Sequence, residues 1–220
     1  MTDIHSGGRK REDPHLEMSI ESAGAPPSSA DAAVIMLHGR GGTAQHILRL
    51  VDEIYVRSVI YLAPQAAQNR WYPYSGVAPK HQNEPWLSSA LKKVSETVSM
   101  AREEGISRER ILIFGFSQGG CLGCEYVAAN PRRYGGLITL SGSLLGPEPT
   151  VDLNGNIKQT PVFFGCGISD PYVDASRVRE SDRLFRDLGG DTTLRLYDVL
   201  GHEINDDEVH WTRSFIEQLV

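Results

Sequence analysis

Cysteine is scarce in this sequence, and the number of cysteines is odd. Only Cys121, Cys124 and Cys166 carry thiols in a chain of 220 residues. A chain of this length buries enough surface to fold without covalent cross-links, so the cysteines are not needed as a disulfide scaffold. We therefore predict three free thiols and a reducing compartment.

Long hydrophobic runs and an excess of positive charge are also missing. The longest apolar run, Ala32–Leu37, is far shorter than the ~20 residues that span a bilayer, and the N-terminal residues lack the apolar core of a signal peptide. Acidic side chains outnumber basic ones by 28 to 22, and neither sign is clustered. These absences argue against a membrane anchor and a nucleic-acid-binding surface, and they favour a cytoplasmic protein with a small-molecule partner.

Residues 1–31 differ in composition from the rest of the chain. They are rich in charge, glycine, proline and serine, which predicts a largely flexible tail with one candidate edge strand at Leu16–Ile20. Residues 32–220 are expected to form a single domain, with no separate cap domain.

From Ala32 onward, short apolar runs alternate with longer amphipathic stretches, as in βαβ units. The predicted strands are 32–39, 58–64, 110–116, 135–142, 160–167 and 192–199. The predicted helices are 44–55, 85–104, 118–129, 173–188 and 206–219, the last with Asp206 as its N-cap. This order predicts an α/β fold with a doubly wound, mostly parallel sheet flanked by helices. Ligands bind such sheets beyond the carboxyl ends of the strands.

The pattern Gly115-Phe116-Ser117-Gln118-Gly119 lies between a predicted strand and a predicted helix. G-x-S-x-G in this context is typical of a nucleophile elbow, in which small residues allow a tight turn that exposes the serine hydroxyl. A glycine-rich turn with an incidental serine is the alternative. The strand-to-helix context favours Ser117 as a nucleophile.

A serine nucleophile needs a base to take its proton, and the base needs an orienting carboxylate. His202 follows the last predicted strand. Asp170 follows the penultimate one and precedes a proline, whereas Asp174 and Asp198 are rival carboxylates. Because the order Ser, Asp, His is that of hydrolases with this elbow, we predict Ser117, Asp170 and His202 as the catalytic residues.

Acyl transfer also requires donors for the oxyanion. The backbone N–H of Gln118, directly after the serine, is one predicted donor. The backbone N–H of Arg40, in the glycine-rich loop 38–42 after the strand at 32–39, is the other. A plain turn before the next helix is the alternative interpretation of this loop.

Six motifs occur in order: L-H-G-x-G-G, A-P-Q, a following tryptophan, G-F-S-Q-G-G, G-x-x-D-P-x-V and G-H-E-I. Together they resemble the carboxylesterase/phospholipase family of α/β-hydrolases, which includes the acyl-protein thioesterases. The resemblance covers residues 33–220. It implies the α/β-hydrolase fold and an esterase or thioesterase whose triad is Ser117, Asp170 and His202. The loop with Arg40-Gly41-Gly42 departs from better-known members, which have a small apolar residue and then Gly-Asp.

The long segment 66–85 is rich in aromatic residues and predicts one wall of an acyl or aryl pocket. The resemblance points to Trp71 as the pocket residue. Arg70 and Tyr74 are the other substrate-binding candidates, and Arg40 and Arg70 are candidates to contact a carboxylate or phenolate. Aromatic side chains that only hold the loop in place are the alternative.

These predictions together describe a serine hydrolase that cleaves carboxyl esters or thioesters of small or short-chain acyl groups through an acyl-enzyme. No cofactor and no metal are expected, because Cys121 and Cys124 have no second pair for zinc and the sequence around His202 is not H-E-x-x-H. The alternative function is a non-catalytic protein that binds a small aromatic ligand, or a thiol-based sensor. A homodimer remains an open alternative to a monomer.

Overall fold

The computed structural model describes residues 13–152 and 154–220. The strands in this part of the chain are β1 (Ile20–Gly24), β2 (Ala32–Leu37), β3 (Val59–Pro64), β4 (Ile111–Phe116), β5 (Gly136–Leu140), β6 (Pro161–Gly167) and β7 (Asp191–Tyr197). The helices are α1 (Ala44–Leu48), α2 (Val51–Ile54), α3 (Trp86–Glu103), α4 (Gln118–Ala129), α5 (Ala175–Asp187) and α6 (Asp206–Glu217). All strands belong to one sheet in the order β1-β3-β2-β4-β5-β6-β7.

The sheet is parallel except at one edge, where β1 pairs antiparallel with β3. Every residue of β2 and β3 is buried, since helices cover both faces of the sheet. Ile35 and Leu37 point to the core under α3, α4 and α5, whereas Val34 and Met36 point to the core under α1, α2 and α6. The structure thus confirms the predicted α/β fold with a mostly parallel sheet.

The bounds of β2 to β7 and of α3 to α6 lie within two residues of the predictions. The helix predicted at 44–55 is instead divided into α1 and α2. Thr43 caps α1 by accepting a hydrogen bond from the N–H of His46. The N-cap of α6 is Asn205 rather than Asp206, because the Asn205 side chain accepts from the N–H of Glu208 and the Glu208 side chain accepts from the N–H of Asn205.

The N-terminal segment differs from its prediction wherever the structure describes it. The edge strand begins at Ile20, where the predicted strand ends. His15 is fully buried, and its Nε2 lies 3.0 Å from the carbonyl oxygen of Trp71. Residues 13–31 thus contribute β1 and a buried histidine to the described structure, and residues 1–12 lie outside its described part; the flexibility of the tail stays a prediction. None of the helices in the described residues is long and apolar enough to cross a bilayer.

Candidate active site

Ser117 occupies a strained turn between β4 and α4. Its backbone has φ 56° and ψ −121°, a conformation that costs a residue with a side chain free energy. A Cβ at Gly115 would collide with the backbone of Gly119, and a Cβ at Gly119 would collide with the backbone of Leu37. The two glycines of the G-x-S-x-G pattern are thus required by close backbone packing. This turn is the predicted strand–elbow–helix arrangement.

Ser117, His202 and Asp170 form a continuous hydrogen-bonded chain. The Oγ of Ser117 lies 2.8 Å from Nε2 of His202, and Nδ1 of His202 lies 2.8 Å from Oδ2 of Asp170. The other oxygen of Asp170 accepts hydrogen bonds from the N–H groups of Tyr172 and Val173. The three side chains come from loops after β4, β6 and β7, so the sheet brings together residues that are distant in sequence.

Burial of Asp170 disfavours its charged form, but hydrogen bonds from His202 and from the N–H groups of Tyr172 and Val173 outweigh this effect. The pKa of Asp170 is therefore lower than its ordinary value. An ionised Asp170 accepts from Nδ1–H of His202, which leaves the Nε2 lone pair directed at Ser117. Of the rival carboxylates, Asp174 instead caps α5 and Asp198 is exposed.

The two predicted oxyanion donors flank Ser117. Gln118 is the first residue of α4, so its backbone N–H has no carbonyl partner within the helix. Arg40 lies in the loop after β2, and a Cβ at its neighbour Gly39 would lie 3.3 Å from the Cβ of Ser117. The helix N-terminus adds a partial positive charge at the same place.

A cavity of about 660 Å³ opens beside Ser117 and His202. Residues 72–77 form one wall, as the aromatic composition of segment 66–85 predicts, and Tyr74 lies on that wall. A second cavity, of about 580 Å³, lies against loop 38–42 and includes Ile47 and Leu50 in its lining. Arg40 and His202 line both cavities.

Two predicted substrate-binding residues lie away from the cavity wall. Trp71 is fully buried, and its Nε1 donates to the carbonyl of His38 at 2.8 Å. The guanidinium of Arg70 lies over the ring of Trp86, 5.0 Å from its centroid. Neither residue lines the cavity beside Ser117, because Trp71 is buried and the half-buried Arg70 packs on Trp86. Substrate contact by Trp71 or Arg70 stays a prediction.

Sequence reasoning missed Tyr172 and Arg177, which both line the cavity. Tyr172 is 79% exposed, and its ring meets the ring of His202 edge-on with centroids 4.8 Å apart. Its position two residues after Asp170 was an available signal. Arg177 lies on α5, and a helical position alone carries no sign that the side chain reaches a cavity.

The three cysteines are free and buried. Cys121 lines the cavity, where its Sγ accepts a weak hydrogen bond from the N–H of Ser143 at 3.4 Å. Burial raises the pKa of the thiols of Cys121 and Cys124, and it raises that of Cys166 to about 12. These thiols are therefore protonated at neutral pH. Among the described residues, no group of three or more histidine, cysteine or acidic side chains is arranged to hold a metal ion.

Comparisons with known proteins identify the family to which this chain belongs. Residues 18–220 match the family model described as Phospholipase/Carboxylesterase. The chain is 26% identical to a probable carboxylesterase SOBER1-like from Arabidopsis thaliana, over 87% of this chain and 80% of the relative. It is 25% identical to a probable inactive carboxylesterase from Oryza sativa, over 85% of this chain and 84% of the relative.

A solved structure shows a similar fold. The crystal structure of a phospholipase/carboxylesterase from Dyadobacter fermentans is 42% identical, covers 91% of this chain and 96% of its own, and superposes with a TM-score of 0.87. With the family model matching nearly all of the described residues, the chain belongs to the phospholipase/carboxylesterase family of α/β-hydrolases.

Proposed function

We propose that this protein is a serine hydrolase that cleaves carboxyl esters or thioesters of small or short-chain acyl groups through an acyl-enzyme. The observation that carries this proposal is the unbroken hydrogen-bonded chain from Ser117 through His202 to Asp170 at the edge of a cavity. Its geometry suits a nucleophile, a general base and an orienting carboxylate.

In the proposed mechanism, the Oγ of Ser117 attacks the substrate carbonyl carbon while Nε2 of His202 removes the hydroxyl proton. The N–H groups of Arg40 and Gln118 donate to the resulting oxyanion. The tetrahedral intermediate collapses when the bond to the alcohol or thiol breaks and His202 returns the proton to that leaving group. Water then attacks the acyl-enzyme by the same sequence of proton transfers and releases the acid.

The alternative is a protein of the same fold that binds a small aromatic ligand or senses redox state without hydrolysis. A relative named as probable inactive shows why this alternative needs a test. The burial of all three thiols disfavours sensing, since a reactive cysteine needs an accessible thiolate. The same free thiols support a cytoplasmic location.

The test compares Ser117→Ala with the wild type in hydrolysis of p-nitrophenyl butyrate and in labelling by a fluorophosphonate. We expect Ser117→Ala to lose labelling and to lose at least about 10³-fold in kcat/KM. The matched control is Ser143→Ala, which removes a different hydroxyl from the same cavity wall and should remain labelled. Unchanged hydrolysis by folded Ser117→Ala would show that this serine is not the nucleophile.

A further inference from the structure

The cavity beside Ser117 has more positive than negative charge on its wall, although the chain has a formal net charge of −6. The side chains of Arg40 and Arg177 lie on this wall, and Asp174 is the one carboxylate among its lining residues. A concave site with low-dielectric walls concentrates the field of such charges. A positive cavity in an acidic protein therefore points to an anionic ligand.

Arg40 is held by main-chain carbonyl groups. Its Nη2 donates to the carbonyl oxygens of Tyr72 at 2.9 Å, Pro73 at 3.0 Å and Tyr74 at 2.9 Å. These carbonyls fix the position of the guanidinium, but they carry no net charge that would neutralise it. Within the described residues, Arg40 forms no ion pair with any carboxylate.

Arg177 approaches the cavity from α5 and is also held by carbonyls. Its Nη1 donates to Pro147 at 3.0 Å, and its Nη2 donates to Leu144 at 3.0 Å. Two acidic groups lie near it: Glu180, whose Oε2 is 4.0 Å from Nη1, and Asp174, whose pKa Arg177 helps to lower after the larger effect of its hydrogen bonds with Ser176. The charge of Arg177 is partly balanced, so Arg40 has the larger unbalanced charge.

Arg40 also retains hydrogen-bond donors for a ligand. Only its Nη2 is bonded to described residues, which leaves the N–H groups of Nε and Nη1 free on an exposed side chain. The Nε–H and Nη1–H groups lie on different edges of the guanidinium, so each can donate one charge-assisted hydrogen bond to a carboxylate oxygen. Because Arg40 and Ser117 line the same cavity, one ligand there can present a carboxylate to Arg40 and an ester to Ser117.

We propose that the substrates of this protein carry, besides the bond to be cleaved, a second and unreacted carboxylate that Arg40 binds and Arg177 attracts. This inference rests on the proposed esterase function and names its substrate class. The carboxylate can belong to the acyl half or to the alcohol half of the ester, and the experiment distinguishes these two positions.

The experiment uses matched pairs of esters that differ only in a carboxylate or its methyl ester. For the acyl half, the pair is the mono-4-nitrophenyl ester of adipic acid and its methyl ester. For the alcohol half, the pair is 4-acetoxyphenylacetate and its methyl ester, and phenol release is followed. We expect the wild type to prefer the carboxylate member of at least one pair by about tenfold in kcat/KM, and we expect NaCl to reduce this preference.

Variants assign the preference to particular residues. The ratio of kcat/KM for the two members of a pair, measured within one enzyme, cancels any general damage to the loop that holds Arg40. We expect the ratio to fall about tenfold in Arg40→Gln, to be largely retained in Arg40→Lys, and to fall by less in Arg177→Gln. The matched control is Arg49→Gln, because Arg49 lines the second cavity but not the one beside Ser117.

Equal rates for both members of both pairs would overturn the proposal, as would a ratio that Arg40→Gln leaves unchanged. If Arg40→Gln does not fold, two other measurements test the proposal. NaCl should reduce the wild-type preference and Arg40→Lys should largely retain it, and failure of either expectation would contradict the proposal. Failure of the wild type to hydrolyse any of the four esters, with no fluorophosphonate labelling, would instead overturn the proposed function and this inference with it.

Discussion

A single carboxylate sets the tautomer of His202. Asp170 is ionised and accepts from Nδ1–H of His202, so Nε2 remains free to accept from Ser117. An asparagine at this position can donate its amide N–H to Nδ1 and thereby place the ring proton on Nε2. That tautomer cannot take a proton from the serine hydroxyl.

We therefore expect Asp170→Asn to lower kcat/KM for p-nitrophenyl butyrate by about 10³–10⁴-fold while the protein stays folded. Steady-state kinetics and a thermal melt measure the two quantities. Asp198→Asn is the control, because Asp198 is an exposed carboxylate after β7. A larger loss in Asp198→Asn than in Asp170→Asn would contradict the assignment of Asp170.

Single residues also show where prediction from the sequence fails. The proximity of Ser117, Asp170 and His202 could be predicted because each lies within five residues of the end of a strand, and parallel strands end at the same edge of a sheet. Trp71 could not be placed in the same way. Whether a loop aromatic points into a cavity or into the core depends on its partners, here the carbonyl of His38.

Among the elements, helix α6 has an unusual first turn. Its capping residue Glu208 is fully buried, and the Oε1 of this side chain has no hydrogen-bond partner in the described structure. Burial raises the pKa of Glu208 to about 7. In the unfolded chain the carboxyl ionises near its ordinary value, so between these two values the unfolded state binds fewer protons than the folded state.

The free energy of unfolding should therefore fall as the pH rises from about 4.5 to 7, with Glu208 contributing a loss of about 3 kcal/mol. In Glu208→Gln, which keeps an acceptor for the N–H of Asn205, this contribution should disappear. Urea unfolding at pH 5 and pH 8 measures the difference. The exposed Glu203→Gln should behave like the wild type; an equally pH-dependent Glu208→Gln would exclude Glu208 as the source.

The elements were predictable to different degrees. Buried strands and long amphipathic helices are visible in the sequence as apolar runs and periodic patterns, and their bounds agree with the structure within two residues. The division of 44–55 into α1 and α2 and the N-cap at Asn205 depend on local hydrogen bonds. The hydrophobic pattern does not encode those bonds, so it predicted one helix and the neighbouring cap.

At the scale of the whole molecule, the N-terminal segment completes the sheet. Strand β1 covers the outer edge of β3, and buried His15 donates its backbone N–H to Ser89 on α3. An uncovered strand edge presents unpaired N–H and C=O groups to other chains. Strand β1, which lies in the part of the chain predicted as a tail, thus protects the edge of β3.

Removing residues 1–24 should lower Tm by about 5 °C or more and increase aggregation, because the edge of β3 becomes exposed. Thermal melts with light scattering measure both effects. His15→Ala keeps β1 and should lower Tm without the increase in scattering. A shortened chain that melts and scatters like the full one would show that β1 does not protect the sheet.

The position of the site and the wall formed by residues 72–77 were predictable from the sequence, but the contribution of α5 to the cavity was not. The loops after β2 to β7 all contribute residues to the cavity at the carboxyl edge of the sheet. Arg177 reaches the cavity by bonding carbonyls of the segment after β5, a contact between elements that are not consecutive in the chain. Contacts of this kind form only when distant segments come together in the folded chain, so the local sequence around Arg177 does not reveal them.

The side chain of Gln118 links the first residue of α4, next to Ser117, to the beginning of the cavity loop. Its Oε1 accepts from the N–H of Trp71 and its Nε2 donates to the carbonyl of Tyr72, while its backbone N–H is the proposed oxyanion donor. The cavity loop is therefore anchored where it begins, whereas Val77, farther along the same wall, is exposed. We expect substitutions at Val77 to change the substrate range at little cost to turnover, so a library for directed evolution is best started there.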